Sequence, residues 1–260
     1  MIEIKDLYFA YRNNVVFNGS SFTLEDHPVT ALLGQNGEGK TTFMKLLLGL
    51  LKPDKGEILL DGLDLGKLNE EKRSKLLSYV PQENDDSLIM GVSDFICLGG
   101  INRQGLLKGP DENDRIRAKQ ILTDLGASSF FDRRLETLSH GQRRLIYLAR
   151  AIFQDSRIMV LDEPVSSLDL IRQHDFLRLL KEYTNKGKRI LMSLHDPSLA
   201  YEYADAFVFF KDHRPFAVLS KNDPSFKERF LQAISELYDN RIRPEYIDGH
   251  LFLNCEQINK

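Results

Sequence analysis

The chain has 260 residues, of which 28% are charged and 42% hydrophobic, and its formal net charge is −3 at pH 7. These values are ordinary for a globular protein and unlike those of disordered or membrane-spanning chains. The slight acidic excess argues against a nucleic-acid partner, because phosphate-backbone binding normally shows as a basic excess or stripe. The two cysteines, Cys97 and Cys255, stand far apart, which favours a reducing intracellular setting with both thiols as packing residues.

No apolar stretch reaches the roughly 18 uninterrupted residues that indicate a membrane-spanning helix. The chain starts with strand-like alternation instead of a basic segment followed by an apolar one, so the sequence predicts no secretion signal. We therefore expect any membrane contact to be peripheral and to be made through a partner.

Hydrophobic periodicity predicts strands and one helix in the first eighty residues. A continuous apolar run at 29–33 ends in glycine, as a buried strand of a parallel sheet would, and a helix follows from 39 to about 48. Further strands are predicted within 2–24, with turns at 12–14 and 18–20, and at 57–60 and 75–80.

The pattern changes between about residues 82 and 137, where helices dominate. Pro110 and the acidic residues after it open a helix that Gly126 closes, so we interpret this segment as a helical lobe. After it, helices at 139–152 and 170–184 alternate with buried strands at 158–161 and 189–194. This alternation predicts an α/β fold with a parallel sheet.

The strongest local motif is the run from Gly34 to Thr42, which satisfies G-x-x-x-x-G-K-[ST] between a predicted strand and a predicted helix. Glycines let backbone N–H groups curl around a polyphosphate, and the start of the helix adds partial positive charge. Lys40 would reach the β- and γ-phosphates and Thr41 would bind Mg²⁺. The alternative is a glycine-rich turn without a ligand.

Two carboxylates, Asp162 and Glu163, end the apolar run at 158–161, where a parallel strand places ligand chemistry. Asp162 would hold Mg²⁺ and Glu163 would orient or deprotonate the attacking water. Such a strand end is by itself often only a solvated terminus. His195 follows another apolar strand and would lie at the same rim, although a lone histidine is more often structural.

Ser139 and Gln142 fit the capping box S-x-x-[EQ] at a helix start. The simple interpretation is a capped helix. The alternative is that the exposed N–H groups of this helix form an anion site for a phosphate that belongs to another subunit.

With these motifs in this order, the sequence resembles the ABC transporter ATPases over nearly its whole length. Residues 34–42 are similar to Walker A, residues 158–163 to Walker B with its catalytic glutamate, and residues 138–142 to the family signature. Gln82 is similar to the Q-loop glutamine, and residues 167–169 are similar to the D-loop. His195 is similar to the switch histidine, and Tyr11 to the aromatic residue that stacks on adenine. The resemblance implies a P-loop NTPase core with a parallel sheet, an N-terminal antiparallel β-subdomain and an inserted helical subdomain. It implies a single ABC ATPase domain with its core and β-subdomain at 1–81 and 138–214, the helical subdomain at 82–137, and an extension at 215–260.

The resemblance also implies the role of each site residue. Catalysis would fall to Glu163, His195 and Gln82, and Mg²⁺ would be held by Thr41, Gln82 and Asp162. ATP would be bound by Tyr11, Gly34, Asn36, Gly37, Gly39, Lys40, Thr41, Thr42, Ser139, Gly141, Gln142 and Asp169. The implied partners are a second copy in a head-to-tail dimer, transmembrane permease subunits and, indirectly, an extracytoplasmic substrate-binding protein, with the chain peripheral at the cytoplasmic face of the membrane.

Softer features resemble the subgroup that serves iron–siderophore, haem and cobalamin import. They are the segments at 49–58, 92–99, 109–114, 168–173 and 234–238. Three positions depart from the usual patterns. His140 replaces a glycine of the signature, Gly100 replaces an arginine of the subgroup, and Glu38 places an acid in the phosphate loop, where it would weaken nucleotide binding if it faced the phosphates.

Two other functions remain open from the sequence. The chain could be the ATPase of another ABC importer or exporter, or a soluble ABC ATPase of DNA repair or translation. The soluble proteins typically carry coiled-coil insertions, a second cassette or basic surfaces, and none of these is visible in this sequence. The sequence does not identify the cargo, because the ATPase subunit does not contact it.

Overall fold

A computed structural model describes residues 1–82, 88–101, 109–247 and 250–255 of the chain. The chain forms two units, one of Met1–Leu68 with Arg189–Lys260 and one of Asn69–Lys188. Parts of the predicted helical lobe, 83–87 and 102–108, lie outside the described residues, as does the side chain of Cys255. The predicted division into core, helical subdomain and extension stays a prediction.

The strands, numbered in chain order, are β1 Ile2–Tyr11, β2 Asn14–Leu24, β3 Val29–Gly34, β4 Lys55–Leu60, β5 Leu63–Asp64, β6 Leu77–Val80, β7 Ile158–Leu161, β8 Arg189–Ser193, β9 Ala206–Lys211, β10 Arg214–Ser220, β11 Ile242–Ile247 and β12 His250–Cys255. The α-helices are α1 Lys40–Leu47, α2 Glu70–Leu76, α3 Val92–Cys97, α4 Glu112–Asp124, α5 His140–Gln154, α6 Leu170–Asn185, α7 Pro197–Tyr203 and α8 Phe226–Leu237. Short 3₁₀ turns occupy Leu65–Lys67, Leu98–Gly100, Ser128–Phe130 and Leu135–Thr137.

The first unit contains an antiparallel sheet in the order β2-β1-β4-β5. The turn predicted at 18–20 is wrong, because β2 runs through this segment without a break. The register shifts where Leu7 pairs with Ser20 and Tyr8 with Asn18, and Gly19 has a φ of 76°. The glycine therefore marks a β-bulge, which also needs a residue tolerant of positive φ.

The first unit also holds the strands β10-β9-β3-β8, in that order. β3 pairs in parallel with both β8 and β9, and every residue of β3 is buried, as its continuous apolar run predicts. The helix α1 follows β3 and packs Phe43 against the rings of Phe22 and Phe210, with centroids 5.5 and 5.9 Å away. The strand and helix that flank the phosphate loop are thus anchored in a core.

The C-terminal part of the first unit consists of β10, α8 and the antiparallel hairpin β11–β12. Phe230 of α8 is fully buried, and its ring lies 4.7 Å from that of Phe207 and 5.5 Å from that of Phe209. The helix therefore belongs to the core of this unit, although the sequence offered little reason to expect it.

The second unit combines the parallel pair β6–β7 with helices α2 to α6. The predicted strand at 75–80 begins two residues late, because Asn69 caps α2 and that helix continues to Leu76. Asp111 and Asp114 form a capping box at the start of α4, which confirms the predicted helix opening after Pro110. The α/β fold class predicted from the sequence is confirmed by these elements. In the described part of the chain, no helix has the length and apolar character needed to cross a bilayer.

Candidate functional site

The phosphate loop, residues 34–39, connects β3 to α1 in the first unit. A Cβ at Gly34 would lie 2.9 Å from the carbonyl oxygen of Phe210 on the neighbouring strand, so no side chain fits there. Gly39 has a φ of 94°, and a Cβ on it would approach Val16 to 3.0 Å. Both glycines are therefore required by the backbone path that forms the loop.

Lys40 begins α1 and is 5% exposed, with its ammonium group turned back over the loop. Its Nζ donates to the carbonyl oxygens of Gly34, at 2.7 Å, and of Gln35, at 2.9 Å. Thr41 and Thr42 follow in the first turn, whose cap residue supplies no side-chain hydrogen bond. A buried cation at an uncapped helix start has the donor set that a polyphosphate requires.

Two loop side chains are held by later parts of the first unit. The Gln35 amide donates to the carbonyl oxygen of Leu237 at the end of α8, at 2.9 Å. The Glu38 carboxylate accepts from the backbone N–H of His213 in the β9–β10 turn, at 3.0 Å. The Glu38 carboxylate is thus bound to the turn, and neither contact was predicted from the sequence.

Four more predicted residues lie in the first unit. His195 is exposed just after β8, next to Asp196, whose side chain caps α7. Tyr11 ends β1 with 44% of its surface exposed, and its ring meets that of Phe9 edge-on at 4.9 Å. Asn36 and Gly37 are exposed in the phosphate loop. An exposed tyrosine held edge-on by a neighbour leaves a ring face available for stacking.

Asp162 and Glu163 follow β7 in the second unit. Asp162 is 1% exposed, and its backbone N–H donates to the carbonyl oxygen of Val80 on β6 at 2.9 Å. The Gln82 amide, just beyond β6, donates to Oε2 of Glu163 at 2.7 Å. The ends of two adjacent parallel strands therefore bring together an amide and a carboxylate that lie 81 positions apart in the chain.

The backbone of Glu163 is strained. Its φ is 45°, a left-handed value that costs a residue other than glycine on the order of 1–3 kcal/mol. The next residue is Pro164, which further restricts the conformations open to the residue before it. Such a backbone persists only when its surroundings over-determine it, so Glu163 is a functional candidate on geometric grounds as well.

Arg144 of α5 supplies much of that support, and sequence reasoning missed it. The side chain is 2% exposed, and all five of its N–H donors reach carbonyl oxygens. Nε donates to Pro164 at 3.1 Å, Nη1 to Pro81 and, at 2.8 Å, to Gln82, and Nη2 to Asp162 at 3.3 Å and to Glu163. Burial lowers the pKa of Arg144, and the nearby carboxylates of Asp162 and Glu163 oppose that shift.

A buried guanidinium loses several kcal/mol of hydration unless its donors are satisfied. Hydrogen bonds to main-chain carbonyl oxygens compensate Arg144 for this lost hydration. Each of these carbonyls would itself cost about 1–3 kcal/mol if it were buried without a donor. The only signal in the sequence was an arginine at a position in α5 that faces the core, between Gln142 and Ile146.

The start of α5 is a capping box, as the sequence predicted. Ser139 Oγ accepts from the backbone N–H of Gln142, and Gln142 Oε1 accepts from the backbone N–H of Ser139 at 3.0 Å. A Cβ at Gly141 would lie 3.3 Å from a methyl group of Leu168, so a larger residue would require that side chain to shift slightly. His140 is exposed in the first turn. The binding of another subunit's phosphate at the start of α5 stays a prediction.

Asp169 caps α6 with a bond from the backbone N–H of Arg172 at 3.0 Å. The predicted residues therefore divide between the units. The first unit holds Tyr11, Gly34, Asn36, Gly37, Gly39, Lys40, Thr41, Thr42 and His195, and the second holds Gln82, Ser139, Gly141, Gln142, Asp162, Glu163 and Asp169.

The chemistry of both groups suits a nucleoside triphosphate. The loop offers backbone N–H groups and Lys40 to phosphates, while Glu163 and Gln82 form a carboxylate–amide pair able to hold a water molecule. Thr41 of the first unit and Asp162 and Gln82 of the second each carry oxygen atoms of the hard kind that Mg²⁺ prefers, and their joint role as Mg²⁺ ligands stays a prediction. The fold and these residues define a P-loop nucleoside triphosphatase.

Comparison with known proteins narrows this class. The family model described as "ABC transporter" matches residues 17–166. A probable iron chelatin transport ATP-binding protein of Helicobacter pylori is 32% identical over 93% of this chain and 98% of its own length. The petrobactin import ATP-binding protein YclP of Bacillus subtilis is 30% identical over 96% of this chain and 97% of its own length. The chain belongs to the ABC transporter family, as an ATP-binding protein that hydrolyses ATP.

Solved structures agree on the fold. A chain described as part of a metal-chelate type ABC transporter in an inward-facing conformation has a TM-score of 0.79 at 24% identity, covering 97% of this chain and 95% of its own. A bacterial ABC transporter cassette solved as a dimer has a TM-score of 0.75 at 21% identity, over 86% and 100%, respectively. At these identities the likeness supports the fold alone.

Proposed function

We propose that this chain powers the import of an iron–siderophore, haem or cobalamin type cargo through a separate permease, as one half of a head-to-tail ATPase pair on the cytoplasmic face of the membrane. The observation that carries the cargo class is the similarity, over nearly the whole chain, to relatives named for iron chelatin and petrobactin transport. Iron–siderophore complexes are the cargo within the proposed class that these names favour.

In the proposed reaction, Lys40 and the loop amides bind the β- and γ-phosphates, and Tyr11 stacks on the adenine. Glu163 orients a water molecule and accepts its proton as the water oxygen attacks the γ-phosphorus and the bond to the β–γ bridging oxygen breaks. His195 contacts the γ-phosphate. Thr41, Asp162 and Gln82 would hold Mg²⁺, which, when bound, neutralises charge on the phosphate oxygens.

The second nucleotide-binding surface comes from the partner in this proposal. Ser139, Gly141 and Gln142 at the start of α5, together with Asp169, would complete the ATP site of the other chain. A cassette of similar fold was solved as a dimer, which agrees with the pairing of two chains in this proposal. Two identical chains would then close on two ATP molecules and reopen after hydrolysis.

The permease would sense closure through the segment between Gln82 and residue 103. The bond from Gln82 to Glu163 supports this route, because it joins the carboxylate that handles water to the start of the helical lobe. Residues 83–87, 102 and 103 of that segment lie outside the described residues.

The test is to tag the Glu163→Gln chain in its native cells, solubilise membranes in the presence of ATP and identify co-purifying proteins by mass spectrometry. The double variant with Lys40→Ala is the matched control, because it should not trap ATP. Recovery of a polytopic permease with an extracytoplasmic binding protein supports import, and ligand screening of that binding protein then names the cargo. An exporter-like partner would favour the alternative ABC function, and recovery of soluble or nucleic-acid-bound proteins alone would overturn the transport proposal.

A further inference from the structure

Arg144 bridges the two backbone segments that carry the Gln82–Glu163 pair. Nη1 binds carbonyl oxygens at the end of β6, on Pro81 and Gln82, while Nε and Nη2 bind those that follow β7. The amide and the carboxylate that touch at 2.7 Å therefore stand on main chain held by one guanidinium. A change in that group would move both partners of the pair.

The backbone of Glu163 needs this support because of its own conformation. Glu163 has a positive φ and precedes a proline, so its own backbone preferences oppose the conformation that presents its carboxylate. Its carbonyl oxygen accepts from Arg144 and from the backbone N–H of Ser166, the latter at 3.3 Å. Lysine could not replace the arginine, because it offers three donors from one point instead of five in a planar fork.

We propose that Arg144 is a positioning residue for ATP hydrolysis, which fixes Glu163 and Gln82 relative to one another and ties both to helix α5. The inference rests on the proposed function for its catalytic consequence. Because α5 begins with the Ser139 capping box, the same helix that would meet the partner's nucleotide also sets the carboxylate of its own chain. Arg144 thereby links the two ATP sites of the proposed pair.

The experiment compares Arg144→Lys and Arg144→Ala with Arg150→Lys. Arg150 is a matched control because it lies on the same helix, half-buried, with its guanidinium over the rings of Phe95 and Tyr147, at 4.8 and 5.4 Å. The readouts are kcat and KM for ATP, binding of an ATP analogue, the melting temperature, and amide hydrogen exchange of the peptides covering residues 77–82 and 158–168.

We expect Arg144→Lys to lower kcat by about 30- to 100-fold, as misplacement of a catalytic group does, with analogue binding changed by less than about threefold. Amide exchange at Asp162 and Ser166 should rise by about tenfold or more, because local opening becomes easier. Guanidinium ion at millimolar concentration should restore part of the kcat of Arg144→Ala and have no such effect on Arg150→Lys.

The positioning role is overturned if folded Arg144→Lys keeps its kcat, or if the Arg150 control loses as much kcat and protection in the same peptides. A wild-type chain without ATPase activity would instead refute the proposed function. In that case the exchange data alone still decide whether Arg144 holds the backbone of Glu163.

Discussion

The side-chain amide of Gln82 donates a hydrogen bond of 2.7 Å to the carboxylate of Glu163. The bond joins the ends of strands β6 and β7, where the carboxylate would orient water in the proposed reaction, and it restrains the carboxylate in one orientation. An amide is a neutral donor, so it restrains the Glu163 carboxylate without placing a further charge beside it. Gln82 is therefore suited to orient a general base.

Removal of this amide should affect the chemical step more than nucleotide binding. We expect Gln82→Ala to lower kcat by about 10- to 100-fold, the value of a hydrogen bond to a charged group, while the dissociation constant for an ATP analogue changes little. Steady-state kinetics and fluorescence titration measure the two quantities. Weaker analogue binding with an unchanged kcat would show instead that Gln82 acts mainly on the ground state.

Replacement of Glu163 by glutamine removes the base and keeps the shape. Glu163→Gln should bind ATP yet hydrolyse it about 10²- to 10⁴-fold more slowly, the usual contribution of a general base. With hydrolysis blocked, the chain should accumulate as a closed dimer of twice its mass of 29.9 kDa, measured by light scattering on a sizing column. An ATP-bound variant that stays monomeric would contradict the shared-site arrangement.

Two substitutions of Glu38 separate the effect of its negative charge from the effect of its hydrogen bond to His213. Glu38→Gln removes the charge but keeps an acceptor for the His213 N–H, and we expect ATP to bind roughly two- to fivefold more tightly, as for a partly screened like charge. Glu38→Ala also loses the tie to the β9–β10 turn and should gain less. If the glutamine variant binds no more tightly than wild type, charge repulsion by Glu38 is negligible.

The C-terminal helix α8 should be needed for stability. Phe230→Ala would leave a cavity among the rings around it and should lower the free energy of unfolding by about 3–5 kcal/mol. Phe252 on β12 is the control, since 46% of its surface is exposed and its replacement by alanine should cost less than about 0.5 kcal/mol. Urea unfolding compares the two, and similar midpoints would show that α8 is dispensable to the fold.

Local patterns in the sequence predicted the elements whose structure depends on residues close to one another in the chain. The apolar run of β3, the phosphate loop and the capping box at Ser139 all follow from neighbouring residues, and the structure has each of them. The error at Gly19 has the same origin, because glycine signals a backbone with positive φ and does not distinguish a turn from a bulge.

Contacts between distant residues were beyond such reasoning. Arg144 reaches carbonyl groups up to 63 positions away, and arginine is almost never fully buried, so its place on the core-facing side of α5 was not enough to predict its five carbonyl partners. The bonds from Gln35 to Leu237 and from His213 to Glu38 likewise span 202 and 175 positions. They became visible only once the strands had brought the segments together.

In the proposed pair, each ATP is bound by Lys40 of one chain and Ser139 of the other. The most direct test mixes two separately inactive variants, Lys40→Ala and Ser139→Glu, under conditions where wild-type chains exchange partners. In a head-to-tail pair, each mixed dimer contains one site with both residues intact, so about a quarter of wild-type ATPase activity should return. If the mixture stays inactive while cross-linking shows that mixed dimers form and bind ATP, Lys40 and Ser139 do not complete a site between chains, and the proposed head-to-tail pair is refuted.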